Sequence, residues 1–294
     1  MKKIKNIQKQ EFLEIENIFI ESCMNNTFGI AYPRCDKKGE LLAEINLYEQ
    51  NLEDCCYKIE IDNKIVGAFI FLYDTEWNTT YLGLVFNGEI DTTNYQNILS
   101  EIESLHNSKN VISCSPLKQN LGLTSALENN DWIKESSSIE MKFNLKQTIG
   151  SKHNSSEIKE LKLDNEEHTK IIIANLLGKT QAWKIDFLKG INDLLKDGYQ
   201  ITYLEIDKII VSVIVWIKIK DTNFSRIEYL STEENHRKKG YAKSLLNEIN
   251  SRCKKLKDEN IFLSSSPEKV NVVKFYEKVG FEKSVESLNY VKNI

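Results

Sequence analysis

The sequence predicts an α/β fold of the α+β kind, built as two copies of one strand-and-helix domain. Three observations lead there. Residues 226–232 alternate like a strand, and a basic turn with one glycine then opens a helix carrying Leu245, Leu246, Ile249, Cys253 and Leu256 on one face. Residues 261–265, followed by Val272, Val273, Tyr276 and Val279 at helical spacing, repeat that strand–helix order. Short matches at a nearly constant separation then tie the first half of the chain to the second.

In chain order, residues 59–62 (Ile-Glu-Ile-Asp) and the apolar run 65–73 read as a β-hairpin, matched 145 residues later by residues 204–207 and the run 209–219. Residues 115–120 (Ser-Pro-Leu-Lys-Gln-Asn) parallel residues 266–271 (Ser-Pro-Glu-Lys-Val-Asn), 151 positions on. Residues 130–132 stand where residues 279–281 stand, 149 positions on, and Gly280 suits the residue that stops a helix, with Phe281 as its apolar contact. Gly150, Ser151, Asn154, Ser155 and Ser156 make a polar linker over residues 147–157. The expected domains are therefore 1–146 and 158–294. Helices are expected over 166–177 and 184–196, with Trp183 and Trp216 as cleft-lining or core residues.

The turn over residues 237–242 suits an anion. The first N–H groups of a helix have no internal partner, and the helix dipole makes that end partly positive. Arg237, Lys238 and Lys239 add charge, Gly240 lets the backbone approach closely, and Tyr241 and Ala242 begin the helix. Tyr276 lies one helix after the strand expected to neighbour this turn, where its hydroxyl can hold a proton.

The pair R-x-x-G-x-A and F-Y-E-K-x-G-F, each preceded by a strand, resembles the GNAT superfamily of acetyl-CoA-dependent N-acetyltransferases. The resemblance covers roughly residues 155–294. It implies, in each copy, a mixed, mostly antiparallel sheet flanked by helices. It also implies that residues 237–242 hold the pyrophosphate of acetyl-CoA, that Leu230, Ser231 and Thr232 hydrogen-bond the pantetheine arm, and that Tyr276 protonates the leaving thiolate. The family's asparagine seven residues before the tyrosine is Lys269 here, with Asn271 close by as a cofactor contact. On this reading the second domain is an acyltransferase. It moves an acetyl group to a primary amine of a small molecule or peptide by direct attack, without a metal.

A primary amine carries a proton at neutral pH, so the reaction needs a base. Glu228, on the strand before the turn and expected to share a face with Arg226 and Leu230, is the candidate. Ser264, twelve residues before Tyr276, could act only through water, and Glu233 and Glu234 read as solvated. A backbone N–H on residues 230–232 is placed to meet developing charge on the acyl oxygen. An acyl-CoA-binding regulatory module without turnover, and a structural protein in which both halves have lost the cofactor, are the other readings.

The first copy departs from this pattern. Its counterpart turn, residues 86–91, holds Glu89 and Asp91 and no Arg or Lys, and Leu127 stands in the place of Tyr276. Residues 1–146 thus read as a degenerate copy without a cofactor site. A net charge of −4 across 294 residues argues against nucleic acid and for a cationic acceptor. No apolar run reaches the roughly 18 residues of a membrane span, and no signal-peptide pattern opens the chain, so a cytoplasmic location is expected. Six cysteines without a C-x-x-C pair, and four scattered histidines, read as free thiols and surface groups. His236 flanks the phosphate turn. Cys253 falls on the buried face of its helix, against a covalent role. Oligomeric state has no signature.

Overall fold

The computed structural model describes residues 2–25, 27–35, 37–75, 77–88, 90, 92–106, 110–150, 157–178 and 187–293. Its strands and helices fall into two compact units that interleave along the sequence. Unit 1 is Met1–Ile139, Ser266–Glu268 and Val285–Ile294, and unit 2 is Glu140–Ser265 and Lys269–Ser284.

In unit 1, β1 (Lys2–Asn6), β3 (Cys56–Ile61), β4 (Lys64–Asp74) and β5 (Thr79–Phe86) pair antiparallel in that order, and β6 (Val111–Pro116) joins β5 in parallel. The far edge of β6 is taken by β13 (Glu282–Asn293), antiparallel, through Tyr290↔Cys114 to Asn293↔Val111. Around this sheet are α1 (Phe12–Cys23), the short strand β2 (Ile30–Tyr32), α2 (Glu40–Leu47), α3 (Leu52–Cys55), α4 (Thr92–Leu105) and α5 (Leu121–Asn129).

Unit 2 repeats the order. β8 (Ile158–Leu161), β9 (Gln200–Ile206), β10 (Ile209–Lys218) and β11 (Phe224–Thr232) are antiparallel, and β12 (Asn260–Ser265) joins β11 in parallel. Its outer strand beside β12 is β7 (Ile133–Asn144), the last strand of the first half of the chain. Each unit therefore takes its closing strand from the other half of the sequence. The helices are α6 (Glu167–Gly178), α7 (Phe187–Lys196), α8 (Tyr241–Lys255) and α9 (Val270–Lys278). The sheets are mixed and mostly antiparallel, as the sequence predicts.

The local reasons for the repeat are visible. Both hairpins turn on two residues in the left-handed region, Asp62 and Asn63 in one and Asp207 and Lys208 in the other, the geometry of a type I′ turn. Both strand–helix units end alike: Trp132 N donates to Leu127 O, and Phe281 N to Tyr276 O, each at 3.0 Å. The middle residue of each stop, Asp131 (φ 60°) and Gly280 (φ 105°), is left-handed.

Each unit has its own core. In unit 1 Phe19, Phe69, Ile70, Leu84, Ile98, Leu99 and Ile102 pack between sheet and helices. In unit 2 Ile173, Leu177, Ile191, Val213 and Val215 fill the face under α6 and α7. Leu245, Leu246, Ile249 and Cys253 are buried along α8. The helices expected over 166–177 and 184–196 are α6 and α7. Trp183, residues 184–186, Glu89 and Asp91 lie outside the described residues.

Candidate functional site

The candidate residues all belong to unit 2, most of them on β11 and the turn that leaves it, with Asn271 and Tyr276 on α9. The parallel register of β11 and β12 runs from Phe224↔Asn260 only to Ile227↔Leu263. Beyond it β11 continues to Thr232, paired on its other side with β10 through Ile214↔Leu230, Val213↔Ser231 and Ser212↔Thr232. Past Ile227 β11 is no longer in register with β12. Because β11 and β12 run parallel, the turns leaving their C-terminal ends emerge at one edge of the sheet, the usual ligand edge of such sheets.

A β-bulge sits at the parting. β10 pairs Val215↔Tyr229 and then Trp216↔Ile227, so Glu228 is the extra residue. This corrects the expected facing: Arg226 pairs with Ile217 and Leu230 with Ile214, so those two side chains lie on opposite faces of the sheet. Strict alternation fails because one residue has been inserted. Glu228 is half-buried, and its charge acts on Tyr199, whose phenol is held above its ordinary range first by burial and then by Glu228. Alternation could not reveal that pairing, since Tyr199 lies just outside β9 and two strands away.

The side chains of residues 230–232 are largely committed within the protein. Ser231 Oγ donates to Leu176 O at 2.8 Å, and Ser212 Oγ lies 2.8 Å from both Ser231 O and Thr232 Oγ1. What this strand can offer a ligand is its backbone edge.

After β11 the chain makes a 3-10 turn, Glu234–His236, with Glu233 accepting from Asn235 N at 2.7 Å. Arg237, Lys238, Lys239 and Gly240 are exposed, and Arg237 Nε donates to Thr232 O at 3.3 Å. Lys238 (φ 63°) and Gly240 (φ 95°) are both left-handed, a geometry that turns successive N–H groups toward one point. Gly240 is the N-cap of α8 and has no side chain with which to cap it, so backbone alone leads from the basic loop into the first turn. Tyr241 is buried, with its ring 6.1 Å from that of the half-buried His236, and Ala242 is half-buried.

Tyr276 lies on α9, 7% exposed, its ring 5.2 Å from that of Phe275 and 5.4 Å from that of Phe281. Its hydroxyl makes no hydrogen bond to a described residue, and burial raises the phenol well above its usual value, so it keeps its proton at neutral pH. Asn271 is exposed in the first turn of α9, and Ser264 is exposed at the end of β12. Trp216 is buried in the sheet rather than lining a cleft. Cys253 is fully buried, its thiol pushed up to about 12 chiefly by desolvation, which removes the thiolate a covalent route would need. All six cysteines are free and buried. Among the described residues no three His, Cys, Asp or Glu side chains are grouped to hold a metal ion, and no helix is long and apolar enough to cross a membrane.

Residues 179–294 match the acetyltransferase (GNAT) domain family. No curated protein matches the chain. Among solved structures, a GCN5-related N-acetyltransferase from Sphaerobacter thermophilus is similar at TM-score 0.68 and 11% identity, covering 99% of this chain and 95% of that one. A tandem GNAT protein from the clavulanic acid biosynthesis pathway is similar at TM-score 0.61 and 10% identity, covering 99% and 98%. A GNAT-family acetyltransferase from Colwellia psychrerythraea follows at 0.55 and 12%, covering 99% and 100%. Sequence match and shape agree: residues 179–294 match the acetyltransferase (GNAT) domain family, and the chain over its whole length has the fold of these GNAT structures.

Proposed function

We propose that the second unit transfers an acetyl group from acetyl-CoA to a primary amine of a small molecule or peptide by direct attack. One observation carries the reading. β11 parts from β12 beyond Ile227 at the same end of the sheet as the glycine-led start of α8 beside its basic loop. An extended amide-bearing arm fits the strand edge, and a pyrophosphate fits the helix start beside Arg237, Lys238 and Lys239.

The roles follow from position. Backbone groups of Leu230, Ser231 and Thr232 hold the arm, and an N–H on this strand donates to the acyl oxygen as charge develops there. The residues from Arg237 to Ala242 hold the pyrophosphate, and Asn271 at the start of α9 adds a polar contact. Glu228, re-aimed by the bulge, takes the proton of an ammonium whose reference pKa is about 10.4. The new C–N bond forms as the C–S bond breaks, and Tyr276 gives its proton to the sulfur. A thiol's ordinary pKa of about 8.5 lies below that of the raised phenol. The transfer is therefore favourable only where the sulfur is desolvated beside the ring, as burial around Tyr276 provides. Six free cysteines suit a reducing cytoplasm, and the net charge of −4 favours a cationic acceptor.

The test is a thermal shift with acetyl-CoA on the native protein and on Gly240→Glu. A ligand at 100 times its Kd stabilises by about 2.7 kcal/mol, so the native protein rises in Tm and the variant does not. Thiol release across a panel of cationic and anionic amines then reads turnover. No shift in the native protein would end this reading, and equal rates across the panel would end the preference for cations. A CoA-binding module without turnover is favoured by the packing of Tyr276 between Phe275 and Phe281, which also suits a core aromatic. It predicts the shift with no thiol release, and a Tyr276→Phe protein that binds unchanged.

A further inference from the structure

We infer that unit 1 carries a built-in occupant where a CoA thioester would lie, so that each chain binds acetyl-CoA once. This rests on the proposed cofactor track of unit 2. In unit 1 the parallel register of β5 and β6 also covers four pairs, Thr79↔Val111 to Leu82↔Cys114, and then the strands part. The edge of β6 released there does not stay open. Ser115 pairs with Tyr32 and Pro116 with Ile30 of β2. β2 must lie on the β5 side, because the other edge of β6 is held by β13, which continues past Tyr290↔Cys114 to the Leu117↔Ser287 bridge and Lys118 N donating to Glu286 O at 2.9 Å.

The inserted segment is fixed from both sides. Gly83 is the first β5 residue beyond the register, and a Cβ built on it would come within 2.5 Å of Pro33 Cδ. The Tyr32 ring lies 5.3 Å from that of Tyr81, and its hydroxyl is 2.9 Å from Glu44 Oε2 and 2.7 Å from the Tyr48 hydroxyl. Gly29 O accepts from Leu117 N and from Asn120 Nδ2, both at 3.1 Å. The chain's own segment thus takes up the space beside the β5 edge, the counterpart of the β11 edge along which an arm would lie.

The phosphate end is filled as well. Ile98, Leu99 and Ile102 line α4 at the spacing of Leu245, Leu246 and Ile249 on α8, which sets Tyr95 where Ala242 stands. The Tyr95 ring is 2% exposed, 4.8 Å edge-on from that of Phe86, and a Cβ on Gly122 would meet it at 3.0 Å. At the register position of the half-buried Ala242, unit 1 thus carries a buried phenol ring packed on β5 and α5. Loss of basic residues from the counterpart turn is then one of three changes, together with the inserted strand and the filled helix start.

Equilibrium dialysis with labelled acetyl-CoA on the full chain, read beside hydrogen exchange at the Ile30 and Tyr32 amides, tests this. The expected result is one equivalent for the native protein and none for Gly240→Glu, with β2 amide protection unchanged within twofold by ligand. Two equivalents in the native protein, or one retained by Gly240→Glu, overturns the inference. So does ligand-induced loss of protection at Ile30 and Tyr32, which would make β2 a displaceable lid. No binding to either protein, with β2 still protected, refutes the reading of unit 2 and supports a closed unit 1.

Discussion

Tyr276 is the residue on which chemistry and stability separate most cleanly. Its hydroxyl has no described hydrogen-bond partner, so Tyr276→Phe is expected to leave the urea midpoint almost unchanged while lowering the turnover number about 100-fold or more, the scale of a lost general acid. Thiol release in single-turnover and steady-state assays measures it. Burial raises Tyr276, Tyr95 and Tyr199 together, and the sign of the consequence is fixed. The unfolded chain loses its phenol protons first, near pH 10, so stability is complete below that pH and falls as pH rises above it. Denaturant melts at pH 8 and pH 10.5 should show the loss. Glu228 was legible as an acidic residue on the strand before the basic turn, but its place on a bulge was not. A bulge depends on the partner strand's register, and a single strand's alternation carries no trace of it.

At the scale of elements, each unit has a buried polar cluster where the chain enters the second strand of its parallel pair, and the two clusters differ in chemistry. In unit 2 Asp258 bridges β11 and β10: Ser225 Oγ donates to it at 2.6 Å, and Lys218 Nζ lies 2.6 Å from its other oxygen. Asp258→Asn leaves Lys218 without its counter-charge and is expected to cost about 3 kcal/mol in urea unfolding. In unit 1 Thr80 Oγ1 accepts from Asn110 Nδ2 at 2.9 Å and lies 2.9 Å from His106 Nε2. Burial lowers the His106 pKa, so the unfolded chain takes up a proton first as pH falls. This contribution is whole above about pH 6.5 and is lost below it, at up to about 1.4 kcal/mol per pH unit. His106→Gln should flatten the change in urea midpoint between pH 7.5 and 5.5. His106 lies in polar surroundings in the sequence, but the structure buries it against Thr80 of β5 and Asn110 of the segment entering β6, neighbours that only folding brings together. Gly280 at φ 105° was legible, because a helix stop is written locally. Gly280→Ala should cost about 1–3 kcal/mol, since its Cβ would also come within 3.0 Å of the Phe143 ring.

Each unit is completed by a segment from elsewhere in the chain. Unit 1 is closed by Val285–Ile294 and unit 2 by Glu140 onward. Tyr290 donates to Glu128 at 2.6 Å and Lys292 to Glu103 at 2.7 Å, so a strand from the far end of the chain is bonded into the first unit. A protein ending at residue 146 would present the edge of β6 unpaired, and a chain ending at residue 284 would do the same. Both are expected to lose the dispersed amide spectrum of a folded unit 1, which proton–nitrogen NMR reads directly. Adding residues 285–294 as a separate peptide should restore it to the longer fragment.

The sequence by itself determined what is local or periodic. This includes the two hairpins with their left-handed turns, the strand–loop–helix order, the basic glycine-led helix start, the stop after Tyr276 and the duplication. Each is fixed by neighbours within a few residues, or by one side-chain period. Tertiary structure decided which strand closes each unit, where β11 bulges, and that Ile30–Tyr32 fills the parting of β5 and β6. Those depend on pairing free energies between segments far apart in the chain. Several edges of similar pattern are available to each strand, and only the assembled sheet selects among them.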